Sequence, residues 1–170
     1  MPEGSHAERP SLLLMRHGPA ADDSVTGRDE ARILTREGRL RVERMAELLV
    51  GRGVVPTQLI ASPLVRASET AMIVIRVLRA HGHGVPLVVA PELAPGRLTQ
   101  ASAETIFARH HLNAECTCMV GHEPCLSAFV EEATGVSMTR GFDKAMIVAI
   151  EGGLAEARLA FVLDPAAHGG

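Results

Sequence analysis

The sequence predicts an α/β domain, a three-layer αβα sandwich on a mainly parallel sheet. Three observations carry this. Strand-like segments alternate with amphipathic helical segments, an order that calls for parallel strands joined by helical crossovers. Leu12-Leu13-Leu14-Met15 is an unbroken apolar run, the pattern of a strand covered on both faces. Polar residues gather just after strand-like runs, at Arg16-His17-Gly18, Ser62-Pro63 to Arg66, and Gly121-His122. The carboxyl edge of a parallel sheet is where open α/β folds collect their ligands.

Taken in order, Met1–Pro10 reads as a loose arm, in which Gly4-Ser5-His6 resembles a vector-derived remnant. The first strand ends at Arg16-His17, and Gly18 is expected to let the backbone turn sharply. Pro19–Arg32 is a polar loop, and Thr35 is the expected N-cap of a helix over Arg36–Arg52. Its predicted apolar side is Leu40, Met45, Leu48 and Leu49, and Gly38 is expected to weaken its first turn. Gln58–Ala61 is a short strand, and Leu64–Ala80 a helix with Val65, Met72, Val74, Ile75 and Leu78 on its apolar face. A strand over Val85–Val89 leads into the loop Ala90–Gly96, and Thr99 or Ser102 caps a helix that runs to Leu112. Cys116–Val120 is a further strand, Pro124–Thr134 a helix, and Ala145–Ile150 with Ala157–Leu163 a hairpin about Gly152-Gly153. Residues 11–164 thus form one expected domain, and Pro165–Gly170 a tail.

Composition narrows the function classes. At 170 residues the chain is long enough for one core, which must be aliphatic because Trp and Tyr are absent and Phe numbers four. A net charge of −3 gives no general reason to bind nucleic acid or an anionic membrane. No segment reaches the ~20 apolar residues of a membrane helix, and three cysteines without framework spacing fit a reducing compartment. The expected location is cytoplasmic.

Parallel strands would bring Arg16, His17, Arg66 and His122 to one edge. Arginines supply fixed forks of donors for phosphate, and histidine can serve as nucleophile or acid/base near neutral pH. Such a set suits phosphoryl transfer, with arginines in the charge-neutralising role that metal ions hold elsewhere. No Gly-x-x-x-x-Gly-Lys-Ser/Thr loop and no carboxylate cluster suited to Mg²⁺ is present. No metal or other cofactor is expected.

Four elements in this order resemble the histidine phosphatase superfamily. They are Arg16-His17-Gly18, Leu34-Thr35-Arg36-Glu37-Gly38, Ser62-Pro63-Leu64-Val65-Arg66-Ala67-Ser68-Glu69-Thr70, and Gly121-His122. The resemblance spans Leu12 to Leu163 and implies a phosphoglycerate mutase-like fold. It implies that His17 attacks phosphorus and carries a phosphohistidine intermediate. By the same resemblance Arg16, Arg66 and His122 bind the phosphoryl oxygens, with Gly18 in the substrate-binding set. In many relatives a Glu after the third strand protonates the leaving group, and Glu92 is similarly placed. Glu123 is a second candidate, whose plainer role is to stabilise the start of the following helix.

Departures narrow the resemblance further. Pro19, Ala20, Ala21 and Asp22 stand where mutases place a Ser or Thr and a phosphate-binding Asn. Only Leu93–Gly121 separates Glu92 from His122, too little for the helical lid of the mutases and sugar phosphatases. A shallow, open site is therefore expected, and the chain is similar to the short SixA-type phosphohistidine phosphatases, which share Arg-His-Gly-x-Ala. The expected partner is a phosphorylated protein, with a small phosphate monoester as the alternative substrate. A non-catalytic phosphate-binding module on the same fold is the alternative of another class.

Other features have plainer readings. Cys116, Cys118, His122 and Cys125 hold soft donors within ten residues, but a strand of buried cysteines explains them better than zinc. His81, His83, His110 and His111 read as solvated or dipole-complementing, and Arg36, Arg39, Arg41 and Arg44 as a solvated helix face.

Overall fold

The computed structural model describes residues 9–110 and 115–168. Its order is β1 (Leu12–Arg16), α1 (Arg36–Gly51), β2 (Gln58–Ala61), α2 (Val65–Ala80), β3 (Leu87–Val89), α3 (Gln100–Arg109), β4 (Thr117–Gly121), α4 (Cys125–Thr134), β5 (Ile147–Glu151), β6 (Arg158–Leu163) and α5 (Pro165–His168). The sheet runs β3-β2-β4-β1-β5-β6. β3, β2, β4 and β1 are mutually parallel, and β5 and β6 are added antiparallel. This is the expected sandwich, the phosphoglycerate mutase-like fold. Between Glu92 and His122 the described residues make only α3 and β4, with no large insertion.

Alternation along the strands sorts the core into two layers. Leu13, Met15, Leu59, Ala61, Cys118 and Val120 pack on α1 and α2. Leu12, Leu14, Ile60, Met119, Val148 and Ile150 pack on α3, α4 and Phe142. Residues one apart on a strand face opposite layers, so a run such as Leu12–Met15 must be apolar throughout. Each of its side chains, almost wholly buried, contributes on the order of 1.5–3 kcal/mol.

The caps follow the sequence. Thr35 accepts from Gly38 N at 2.9 Å, and Thr99 with Ser102 forms a reciprocal capping box at α3. Two helix faces differ from expectation. Leu40 and Met72 are exposed, whereas α1 buries Gly38, Val42, Met45, Ala46 and Leu49, and α2 buries Arg66, Ala67, Thr70, Ala71, Ile73, Val74, Val77 and Leu78. The first turns of both helices flank the carboxyl edge of the sheet, so small and polar residues occupy the inward positions there. Arg52 lies with its guanidinium carbon 4.5 Å from the centre of the Phe161 ring, and Pro165 is buried at the head of α5, where a tail is expected. The expected end of α3 at Leu112, His111, and most of the N-terminal arm lie outside the described residues.

Glycine roles differ too. Gly18 has no left-handed backbone. A Cβ there would lie 2.6 Å from Val42 Cγ2 and 3.1 Å from Gly38 O. A Cβ on Gly38 would lie 2.0 Å from the Pro19 carbonyl oxygen. The chain leaving β1 therefore crosses α1 at backbone contact, and both glycines are there for closeness.

Candidate active site

Register sets the site. Arg16 of β1 pairs with Gly121 of β4, so His17 and His122 leave neighbouring strands side by side. Their ring centroids are 5.1 Å apart at 53°. His17, Arg66 and His122 are recessed, at 6%, 5% and 4% exposure, so the reactive groups are deeper than an open surface site would place them.

His17 is held as a neutral imidazole. Nδ1 lies 2.7 Å from Gly18 O, a contact that needs the proton on Nδ1 and leaves the lone pair on Nε2. Arg66 Nε donates to that Nε2 at 3.3 Å. Burial, then the charges of His122, Arg66 and Arg16, lower the His17 pKa to about 3 against the opposing Gly18 bond. The neutral ring presents the Nε2 lone pair to the site.

His122 Nε2 lies 2.7 Å from Ser62 Oγ, and Ser62 Oγ also accepts from Leu64 N at 3.3 Å. Burial first, then Arg66, push the His122 pKa down to about 4. Its Nδ1 is buried without a partner among the described residues, and so is Arg16 Nε. Buried unsatisfied polar groups are rare and call for an explanation. Arg16 is oriented by donating through Nη1 to Phe142 O at 2.6 Å, and Ala145 N donates to the carbonyls of Arg16 and His17, each at 3.2 Å.

Arg66, in the first turn of α2, is bound by Asp29. Nη1 donates to Asp29 O at 2.8 Å and Nη2 to Asp29 Oδ2 at 3.0 Å. Thr70 joins the two halves of the site. Its Oγ1 accepts from Gly18 N at 3.0 Å and donates to Arg66 O at 2.7 Å. Glu69 takes Leu34 N and the Arg39 guanidinium, tying the start of α1 to α2.

The structure thus brings Arg16, His17, Gly18, Arg66 and His122 together. Glu92, after β3, is engaged elsewhere, in an ion pair with Arg109 Nη1 at 2.6 Å. A hydrogen bond from its own backbone N–H, then Arg109, hold its carboxyl below the usual range despite opposing desolvation. Glu123 accepts from Ser127 N at 3.1 Å, from Ser127 Oγ at 2.5 Å and from Phe142 N, so it fastens the start of α4 to the strand-leading loop.

The roles of Ser62, Thr70, Asp29 and the Phe142 carbonyl escape sequence reasoning. Ser62 and Thr70 stand in the quoted motif, which is the signal that could have found them; Asp29 and Phe142 carry none.

The cysteines do not converge. Cys116 and Cys118 lie in the α1–α2 layer, where burial pushes the Cys116 thiol up to about 12 and Cys118 higher still. Cys125 packs in the other layer and accepts from Gly96 N at 3.1 Å. Among the described residues no helix is long and apolar enough to cross a membrane.

Comparison with known proteins places this geometry. The model of the histidine phosphatase superfamily (branch 1) matches residues 12–110. No curated protein matches the chain by sequence. Among solved structures, the protein histidine phosphatase SixA complexed with tungstate superposes with a TM-score of 0.80 at 23% identity, over 92% of this chain and 98% of that one. The α-ribazole phosphatase of Shigella flexneri has a TM-score of 0.65 at 20% identity, over 90% and 95%. A mycobacterial glucosyl-3-phosphoglycerate phosphatase has 0.62 at 15%, over 88% and 96%. These likenesses bear on the fold, and the family match covers more than half of the chain: the chain belongs to the histidine phosphatase superfamily and is a phosphatase.

Proposed function

We propose that this phosphatase hydrolyses phosphohistidine displayed on another protein, through a phosphoryl intermediate on His17. The observation that carries the phosphoryl site is the pair of buried, partnerless nitrogens, Arg16 Nε and His122 Nδ1, beside a histidine whose Nε2 holds a lone pair.

His17 Nε2 attacks phosphorus as the bond to the leaving imidazole nitrogen breaks and its electron pair goes to that ring. Arg66 Nε–H turns from Nε2 to a phosphoryl oxygen, and Arg16 Nε–H meets another. The dianion draws a proton onto His122, whose Nε2–H is kept by Ser62 while Nδ1–H meets phosphate. Water then attacks phosphorus, the bond to His17 Nε2 breaks, and inorganic phosphate leaves.

Two features favour a phosphoramidate substrate. Glu92, the positional candidate for general acid, is an ion-paired carboxylate without a proton to give. An imidazole leaving group, protonated on its far nitrogen, has little need of one, whereas an alkoxide does. The absence of a large insertion fits a substrate carried by a protein. The alternative, small phosphate monoesters, rests on the position of Glu92 after β3 and requires the Arg109 pair to open.

The test is phosphate release in EDTA from a phosphohistidine-bearing carrier protein and from a panel of small monoesters, with wild type and His17→Ala. We expect fast release from the carrier, lost in His17→Ala while inorganic phosphate is still bound. Preference for the esters would transfer the reading to a general phosphatase, and no release from either would leave a binding module. Undiminished turnover by His17→Ala would sink the mechanism.

A further inference from the structure

The loop Pro19–Ile33 is closed at its base by the Ala20–Leu34 bridge and carries the 3-10 turn Asp29–Ala31. That turn buries none of its own residues, yet it delivers Asp29 to Arg66. The Asp29 side chain is 63% exposed, while that of Arg66 is 6% exposed. Arg66 is the fixed partner and Asp29 the one that can leave. The other carboxylate oxygen of Asp29 pairs with Arg32 Nε at 2.9 Å. A recessed guanidinium without a counter-ion is costly, and Asp29 supplies that counter-ion while the site holds no phosphate.

Resting on the phosphatase reading above, we propose that Asp29 is an internal anion that competes with the phosphoryl group for Arg66. As substrate enters, a phosphoryl oxygen displaces Asp29 Oδ2 from Nη2. After hydrolysis the carboxylate takes the arginine back and helps expel inorganic phosphate. No bond is made or broken by Asp29, and only hydrogen bonds are exchanged. Because the turn adds no residue to either core layer, lifting it uncovers little apolar surface of its own, that of the half-buried Ala31. Among the described residues Arg16 has no such competitor: its Nη1 donates to a neutral carbonyl, so it and His122 can meet the dianion first.

Competition predicts the opposite sign from support. If Asp29 serves only to hold Arg66 in place, removing it loosens the arginine and weakens anion binding. If it competes, removing it strengthens anion binding, by about tenfold to a hundredfold for an interaction of this charge-assisted kind.

The experiment uses the full chain and inorganic phosphate as probe, by titration calorimetry and as product inhibition of turnover. Wild type, Asp29→Ala and Asp29→Asn are compared, each also in the Arg66→Ala background. We expect the phosphate dissociation constant to fall at least tenfold in Asp29→Ala and by less in Asp29→Asn, whose amide oxygen still accepts. KM should fall with it, and the gain should vanish without Arg66. Unchanged or weaker phosphate binding in Asp29→Ala overturns the inference, and so does an equal gain in the Arg66→Ala background, which would be a diffuse charge effect. If wild type itself binds no phosphate, the phosphatase reading fails first and the inference falls with it.

Discussion

Thr70→Val removes one oxygen and keeps the side-chain volume. Thr70 is wholly buried and its Oγ1 is the acceptor for Gly18 N–H, 52 residues earlier in the chain. Valine leaves that N–H buried and unpaired, a cost of about 1–3 kcal/mol. The second bond, to Arg66 O, costs little to lose because that carbonyl remains in the α2 ladder. Taking ~2 kcal/mol, the expected fall in Tm is about 4–8 °C for a chain of this size. The same residue carries the oxygen that fixes His17 Nδ1, so a shift of Gly18 turns Nε2 away from phosphorus. Small misplacements of a reacting atom cost up to ~100-fold, and we expect kcat to fall at least tenfold with KM little changed. The assay is thermal unfolding together with steady-state turnover, and Thr70→Ser, which restores the oxygen, should recover most of both. A Thr70→Val protein with a Tm within about 1 °C of wild type and kcat within about twofold would refute the account of how β1 and α2 are joined.

Gly38→Ala sets two effects against each other: alanine is a better helix former by about 1 kcal/mol, yet its Cβ would stand 2.0 Å from a backbone oxygen. Overpacking of up to ~3 kcal/mol should win, and a urea midpoint above wild type would contradict the crossing described for Pro19. His17 and His122 have pKa values lowered from 6.5 to about 3 and about 4. The unfolded chain therefore binds more protons between those values and 6.5, so their stabilisation is complete above 6.5 and is lost as pH falls. Unfolding from pH 8 to 5 should show a loss of about 2 kcal/mol for each histidine, and His122→Ala should flatten the profile. Glu92→Gln should leave phosphohistidine turnover within about threefold and, since its ion pair is half exposed on the Arg109 side, cost under ~1 kcal/mol of stability; a tenfold loss of turnover would restore Glu92 as acid.

Much of the candidate site was legible because its polar residues sit in short motifs at strand ends. Arg16, His17, Arg66 and His122 meet because parallel strands share a carboxyl edge, which the order of elements already implies. What escaped is set by contacts between distant segments. Leu40 and Met72 satisfy helical periodicity but face solvent, since the inward face of α1 runs through Gly38, Val42 and Met45 and that of α2 through Arg66, Thr70, Ile73 and Val74. Ala145 reads as the start of a strand, but its φ of +71° turns its N–H toward Arg16 and His17, and β5 starts at Ile147. Alanine carries no signal for that backbone. Asp29 lies in a polar loop, and nothing local distinguishes it from Asp22 or Asp23.

The strand order has a consequence for synthesis. β1 is made first yet stands in the middle of the sheet, and both its neighbours come late: Leu12 pairs with Thr117 on one side and with Ile150 on the other. A nascent chain therefore carries Leu12–Met15 without sheet partners until β4 has left the ribosome. His17, the proposed nucleophile, follows a strand whose neighbours lie about a hundred residues or more further along the sequence. Folding of this kind is governed by long-range closure, and it leaves an apolar segment dependent on protection in the interval.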